Sequence, residues 1–81
     1  MSGNKITCKD NYVYFNDTVS SVFGAYIDEY RFNINNNIVE LYTDNRWRKL
    51  KFNIDFLISD ANYVKQIKRT IKIQQYKNNE R

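Results

Sequence analysis

The chain has 81 residues, formal net charge +4, 42% apolar and 16% aromatic residues, no proline, no histidine and one cysteine. That length holds one domain with one small core, in which about 60–65% of the unfolded surface is buried. No apolar run approaches the roughly 20 residues of a membrane span, and "MSGNKITCKD" lacks the apolar stretch of a signal peptide. A lone Cys8 forms no internal disulfide, is expected as a small buried residue, and suggests cytoplasmic life. Without histidine, a Cys–His nucleophile and a His-containing zinc site are excluded, and no metal or cofactor is expected. The sequon at Asn16–Thr18 reads as chance.

Taken in chain order, "KITCK" and "YVYFN" predict two short strands about a turn at Asp10 and Asn11. Residues 17–31 read two ways. Val19, Val22, Phe23, Tyr26, Ile27 and Tyr30 fit an amphipathic helix capped by Asp17. Alternatively Tyr26, Tyr30, Phe32 and Ile34 share one face of a long strand with Gly24 as a bulge. Gly costs a helix about 1 kcal/mol against Ala, and Tyr, Val and Phe are indifferent helix formers, so the strand is preferred.

"YRFNI" (residues 30–34) and "IVELYT" (residues 38–43) form a hairpin about Asn35–Asn37, since Asn accepts positive φ. A turn at Asp44 and Asn45 leads into "RWRKLKFNI", where Leu50, Phe52 and Ile54 alternate with Lys49, Lys51 and Asn53 as in a half-exposed strand. Asp60 then caps a helix over residues 61–77, with Tyr63, Val64, Ile67 and Ile71 as its apolar stripe. Residues 76–81 are expected to fray. The predicted fold is α+β: an antiparallel meander sheet or small open barrel of four to five strands, with the C-terminal helix packed on it, in a single domain over 1–81.

Charge is uneven along the chain. Residues 1–45 hold three basic and six acidic residues, a net −3; residues 46–81 hold ten and three, a net +7. This asymmetry favours an anionic partner for one face, unless the two halves simply attract each other. Twelve Asn, nine Ile, eight Lys, seven Tyr and five Phe make up about half of the chain, all residues of AT-rich codons. In that usage the chain resembles the small early or accessory proteins of AT-rich, T4-like tailed phages. The resemblance covers the whole chain without a motif, and implies a host-takeover or counter-defence role, carried out in the host cytoplasm by binding a host protein or nucleic acid.

Two basic constellations stand out. Arg46, Arg48, Lys49 and Lys51 surround the single tryptophan, Trp47, expected on the face that bears Lys49 and Lys51. Nucleic-acid surfaces need cations for phosphate and flat rings on which unpaired bases stack. The bland alternative packs Trp47 under the C-terminal helix, or beneath an Arg as a cation–π pair. Lys65, Lys68, Arg69 and Lys72 form a ridge on one helix face, more commonly the solvated side of such a helix. Tyr12, Tyr14, Tyr26, Tyr30 and Tyr42 could make a stacking platform, although core packing is the favoured use.

Enzyme chemistry finds no support. Asp28 and Glu29 are sequential and face apart on a strand, and there is no phosphate-cradling Gly-rich loop and no nucleophile with a base. The expected function is a non-enzymatic accessory protein that associates with RNA, single-stranded DNA or a nucleoprotein. Contact with about four to six phosphates implies a salt slope near −3 to −4, from roughly −0.7 per phosphate. The alternative is a protein-binding inhibitor of a host enzyme, such as a nuclease, toxin or RNA polymerase, with Trp47 as its anchor.

Overall fold

The computed structural model describes residues 5–78. A five-stranded antiparallel sheet in sequential order holds β1 (Ile6–Lys9), β2 (Tyr12–Ser21), β3 (Gly24–Asn33), β4 (Ile38–Thr43) and β5 (Arg46–Lys49). A short helical turn, α1 (Ile54–Leu57), and the long helix α2 (Ala61–Asn78) follow. The sheet is an open meander, one of the two forms the sequence allows, with β1 and β5 as its edges.

Turn chemistry sets the register. Asp10, Asn37, Asp44 and Asn45 adopt φ of 57°, 60°, 56° and 64°, values that short polar side chains tolerate best. In the Asn35–Asn37 turn, Asn33 Oδ1 accepts from the Asn35 N–H at 2.9 Å and Asn36 Oδ1 from the Ile38 N–H at 3.1 Å. The resulting pairing places Phe15, Tyr30, Leu41 and Arg48 side by side on one face of the sheet, and Tyr14, Arg31, Glu40 and Lys49 on the other.

The first of these faces carries the core. Val13, Phe15, Tyr30, Ile34 and Val39 are buried against Tyr63, Val64, Ile67 and Ile71 of α2, together with Ile54 and Ile58. The rings of Phe15 and Tyr30 stack at 5.4 Å. Each such side chain contributes about 1.5–3 kcal/mol on burial. Asp60 caps α2 as the sequence predicts: its Oδ1 accepts from the N–H groups of Asn62 (3.0 Å) and Tyr63 (3.3 Å). The Tyr63 hydroxyl donates to the Asn16 carbonyl at 2.7 Å and accepts from the Asn16 N–H at 3.2 Å, fastening the helix to β2 where the pairing with β1 ends. Burial and the neighbouring Asp17 push the Tyr63 phenol up, against the lowering effect of these backbone bonds.

Several expectations need correction. Residues 17–31 are extended, as preferred, but as two strands of one hairpin rather than one long strand: β2 and β3 reverse at Val22 and Phe23, with Gly24 at φ 117°. The strand from Arg46 stops at Lys49. Leu50 still donates its N–H to the Val39 carbonyl, but Asn53 then starts α1, so Ile54 reaches the core from a helical turn and Phe52 is left exposed. Cys8 is exposed rather than buried, on the edge strand β1. The helix continues through Tyr76 and Lys77 to Asn78, and the expected fraying of residues 79–81 lies outside the described residues.

Candidate functional site

The helix leaves one face of the sheet open, and that face is aromatic and charged. The register puts Thr7, Tyr14, Arg31, Glu40 and Lys49 in one row across all five strands. Lys9 and Tyr12 pair in the next row towards the Asn35–Asn37 turn; Tyr42 and Trp47 pair on the other side, beside Glu29.

Arg31 organises the centre. Its guanidinium lies 4.0 Å from the Tyr12 ring centroid and 4.4 Å from that of Trp47, and its Nε donates to Glu40 Oε1 at 2.5 Å. Burial works against the Arg31 charge, but the bonds to Glu40 and Tyr14 outweigh it and hold the guanidinium protonated more firmly than usual. A cation sandwiched between two rings and tied to a buried carboxylate fixes the ring planes. Trp47 is further wedged edge-on against Tyr14 (5.9 Å) and tilted against Tyr42 (5.1 Å). Tyr12 and Tyr14 meet at 6.0 Å. The four rings thus form a rigid ridge, with Tyr42 the most exposed of them. Beside it a recess of about 120 Å³ is lined by Lys5, Thr7, Tyr14, Asn16, Glu29 and Trp47.

The basic residues singled out from sequence do not form one patch. Trp47 and Lys49 lie on the open face, as expected, whereas Arg46 and Arg48 pair with Thr43 and Leu41 and so face the helix side. Arg48 Nη2 also lies 3.6 Å from Asp44. Lys51 lies past the strand, at the rim of a separate cavity with Lys68. Lys65, Lys68, Arg69 and Lys72 are exposed on the outside of α2, remote from Trp47, and Lys68 donates to Asp55 at 2.7 Å. The ridge is therefore a solvated helix face. Trp47 is not under the helix. It does sit in a cation–π pair, with Arg31 rather than with an adjacent arginine.

Three tyrosines expected mainly in the core, Tyr12, Tyr14 and Tyr42, belong to this open face; Tyr30 is in the core and Tyr26 is exposed on the hairpin. Arg31 and Glu40, the centre of the cluster, were missed from sequence. The signal was present: in "YRFN" and "VELY" a charged residue alternates with apolar neighbours, at positions that a hairpin about Asn35–Asn37 makes opposite. Asp28 and Glu29 do face apart, but Asp28 is directly opposite Asp17. Burial first, then Asp28, raises the Asp17 carboxyl above its ordinary value, with Asp60 adding to the rise and a backbone bond from Thr18 opposing it.

Among the described residues no cluster of His, Cys, Asp and Glu could hold a metal ion, and no helix is long and apolar enough to cross a membrane. No family model matches this chain, and neither a curated protein nor a solved structure matches it.

Proposed function

We propose that the helix-free sheet face binds single-stranded RNA or DNA, non-enzymatically, by stacking unpaired bases on the ridge of Tyr14, Tyr42 and Trp47 while lysines contact phosphate. The observation that carries this reading is the position of Trp47: on the uncovered face, fixed by Arg31 and two tyrosines, with lysines at the flanks. Stacking on an aromatic side chain contributes about 1–3 kcal/mol per base, and a prearranged ridge spares part of the ordering cost. Apart from Arg31, which is bonded to Glu40, the cations on this face among the described residues are Lys5, Lys9 and Lys49, fewer than the sequence suggests, so the salt slope is shallower. Three phosphate contacts give a slope near −2, from roughly −0.7 per contact. An accessory role in host takeover or counter-defence, of the kind the resemblance to small phage proteins implies, accords with a small nucleic-acid binder of this type.

Trp47 is the single tryptophan, so its fluorescence reports directly on the face. Titration with single-stranded oligonucleotides should quench it, with duplex of the same length much weaker and with the shallow salt slope above. Equal response to duplex and single strand, or binding indifferent to salt, rejects the proposal. The second reading, a protein-binding inhibitor, draws on the same ridge, since Trp, Tyr and Arg are the preferred anchors of protein interfaces. It requires a complex from host lysate that survives nuclease and is lost in Trp47→Ala.

A further inference from the structure

The hairpin of β2 and β3 projects beyond the rest of the sheet. β1 pairs with β2 only over Tyr12–Phe15, and β4 pairs with β3 only over Glu29–Asn33. From Asp17↔Asp28 to Ser21↔Gly24 the two strands pair with each other alone, and the molecule measures 48 × 27 × 19 Å. A two-stranded ribbon is marginal in water by itself. Its tip is also unusual in chemistry. A two-residue hairpin turn is ordinarily polar or Gly-containing, whereas here it is Val22 and Phe23, 93% and 97% exposed, followed down the strand by the exposed Tyr26 and Ile27.

The other end of the molecule offers the complement. An apolar cavity of about 580 Å³ opens between the sheet and α2 near the Asn35–Asn37 turn, walled by Phe32, Ile38, Leu50, Phe52 and Ile71. Phe52, at its mouth, stacks on Phe56 at 5.0 Å, and the pair is 51% and 75% exposed. Charge matches as well. The ribbon over residues 16–29 carries Asp17, Asp28 and Glu29 and no basic residue, whereas at the cavity rim Lys68 is bonded to Asp55 and Lys51 is left as an excess positive charge.

We propose that the apolar hairpin tip docks into this cavity of a second copy of the chain, in an antiparallel twofold pair. Tip and cavity lie at opposite ends of the sheet, because the β2–β3 turn and the Asn35–Asn37 turn are at opposite ends of β3. Two molecules lying side by side and antiparallel therefore bring each tip to the other's cavity at once. The twofold pair makes the insertion twice and closes the assembly, as an interface of the usual size of about 1,000 Å² or more favours. It also brings each acidic ribbon to the end of its partner that carries Lys51. Tips packing on each other would bring acidic ribbons together and leave the cavities empty.

Sedimentation equilibrium of the nuclease-treated chain should give a dimer mass. Val22→Ser with Phe23→Ser, and separately Phe52→Asp, should each shift it to monomer, while an equimolar mixture of the two variants regains a dimer weaker than the wild-type one, since one tip and one cavity stay intact. On a Cys8→Ser background and with a mild thiol oxidant added, chains with Phe23→Cys mixed with chains with Phe52→Cys should form a disulfide-linked dimer, and Phe23→Cys chains alone should not. These positions are exposed, so the crosslink does not rely on a core substitution. A monomer at all concentrations, a dimer insensitive to either variant, no recovery on mixing, or crosslinking between tips would each overturn the proposal.

Discussion

The two faces of the sheet come from the same short stretches of chain and do different work. In β2, Val13 and Phe15 go under α2 and are almost wholly buried, while Tyr12 and Tyr14 between and beside them build the open ridge. In β3, Tyr30 belongs to the core and Arg31 to the ridge; in β4, the same holds for Val39 and Glu40. The covered face is held by apolar burial, which tolerates any well-fitting shape. The open face is held by a single cation that touches two rings and a carboxylate, which tolerates little. Stability and the proposed recognition are thus separated by one residue of register, and a substitution should act on one or the other according to its parity.

The sharpest test of that separation lies on the covered face. Ile67 is fully buried, and Ile67→Ala should destabilise the fold by about 2–5 kcal/mol in chemical denaturation, leaving oligonucleotide affinity of the folded fraction unchanged. Glu40→Ala crosses the boundary: it leaves the half-buried Arg31 without its carboxylate, so about 2–3 kcal/mol of stability should go together with the rigidity of the ridge. Urea midpoints and oligonucleotide titrations should both move. Trp47→Ala should cost about 1–3 kcal/mol of single-strand affinity, read by a labelled oligonucleotide, with a smaller change in stability.

The smallest effect concerns Asp17, on the helix side of the hairpin base. Its folded carboxyl titrates above the ordinary value of 3.8, so the native state holds the proton more tightly than the unfolded chain. The group therefore opposes folding at neutral pH, and that cost disappears as pH falls through the raised folded value towards 3.8. Asp17→Asn should raise the melting temperature slightly at pH 7 and have no such effect below pH of about 3.8. A larger gain at acid than at neutral pH would contradict this assignment.

Much of the fold could be read from the chain because its signals are local. Asn and Asp at three turns, the cap at Asp60 and the stripe Tyr63, Val64, Ile67 and Ile71 each act within a few residues. What could not be read depends on where elements stop. The end of β5 at Lys49 decides that Lys51 leaves the Trp47 face, and the reversal at Val22 and Phe23 puts apolar residues where turns are usually polar, with the positive φ of Gly24 as its one turn signal. The site was half legible for the same reason. Trp47 and Lys49 alternate correctly, but Arg31 and Glu40 come together only through a pairing across two strands, and the helix basic ridge faces away because α2 lies on the other side.

The true sheet margins are armoured. β1 ends in Lys9, and β5 carries Arg46, Arg48 and Lys49, charges that discourage a further chain from adding itself there. The projecting hairpin has no such guard: "VSSVFGAYI", residues 19–27, combines β-prone and apolar residues with no charge and no proline. On heating or long storage, fibrils should therefore nucleate on this segment, and a single lysine placed in it would delay them more than any change at the two outer strands.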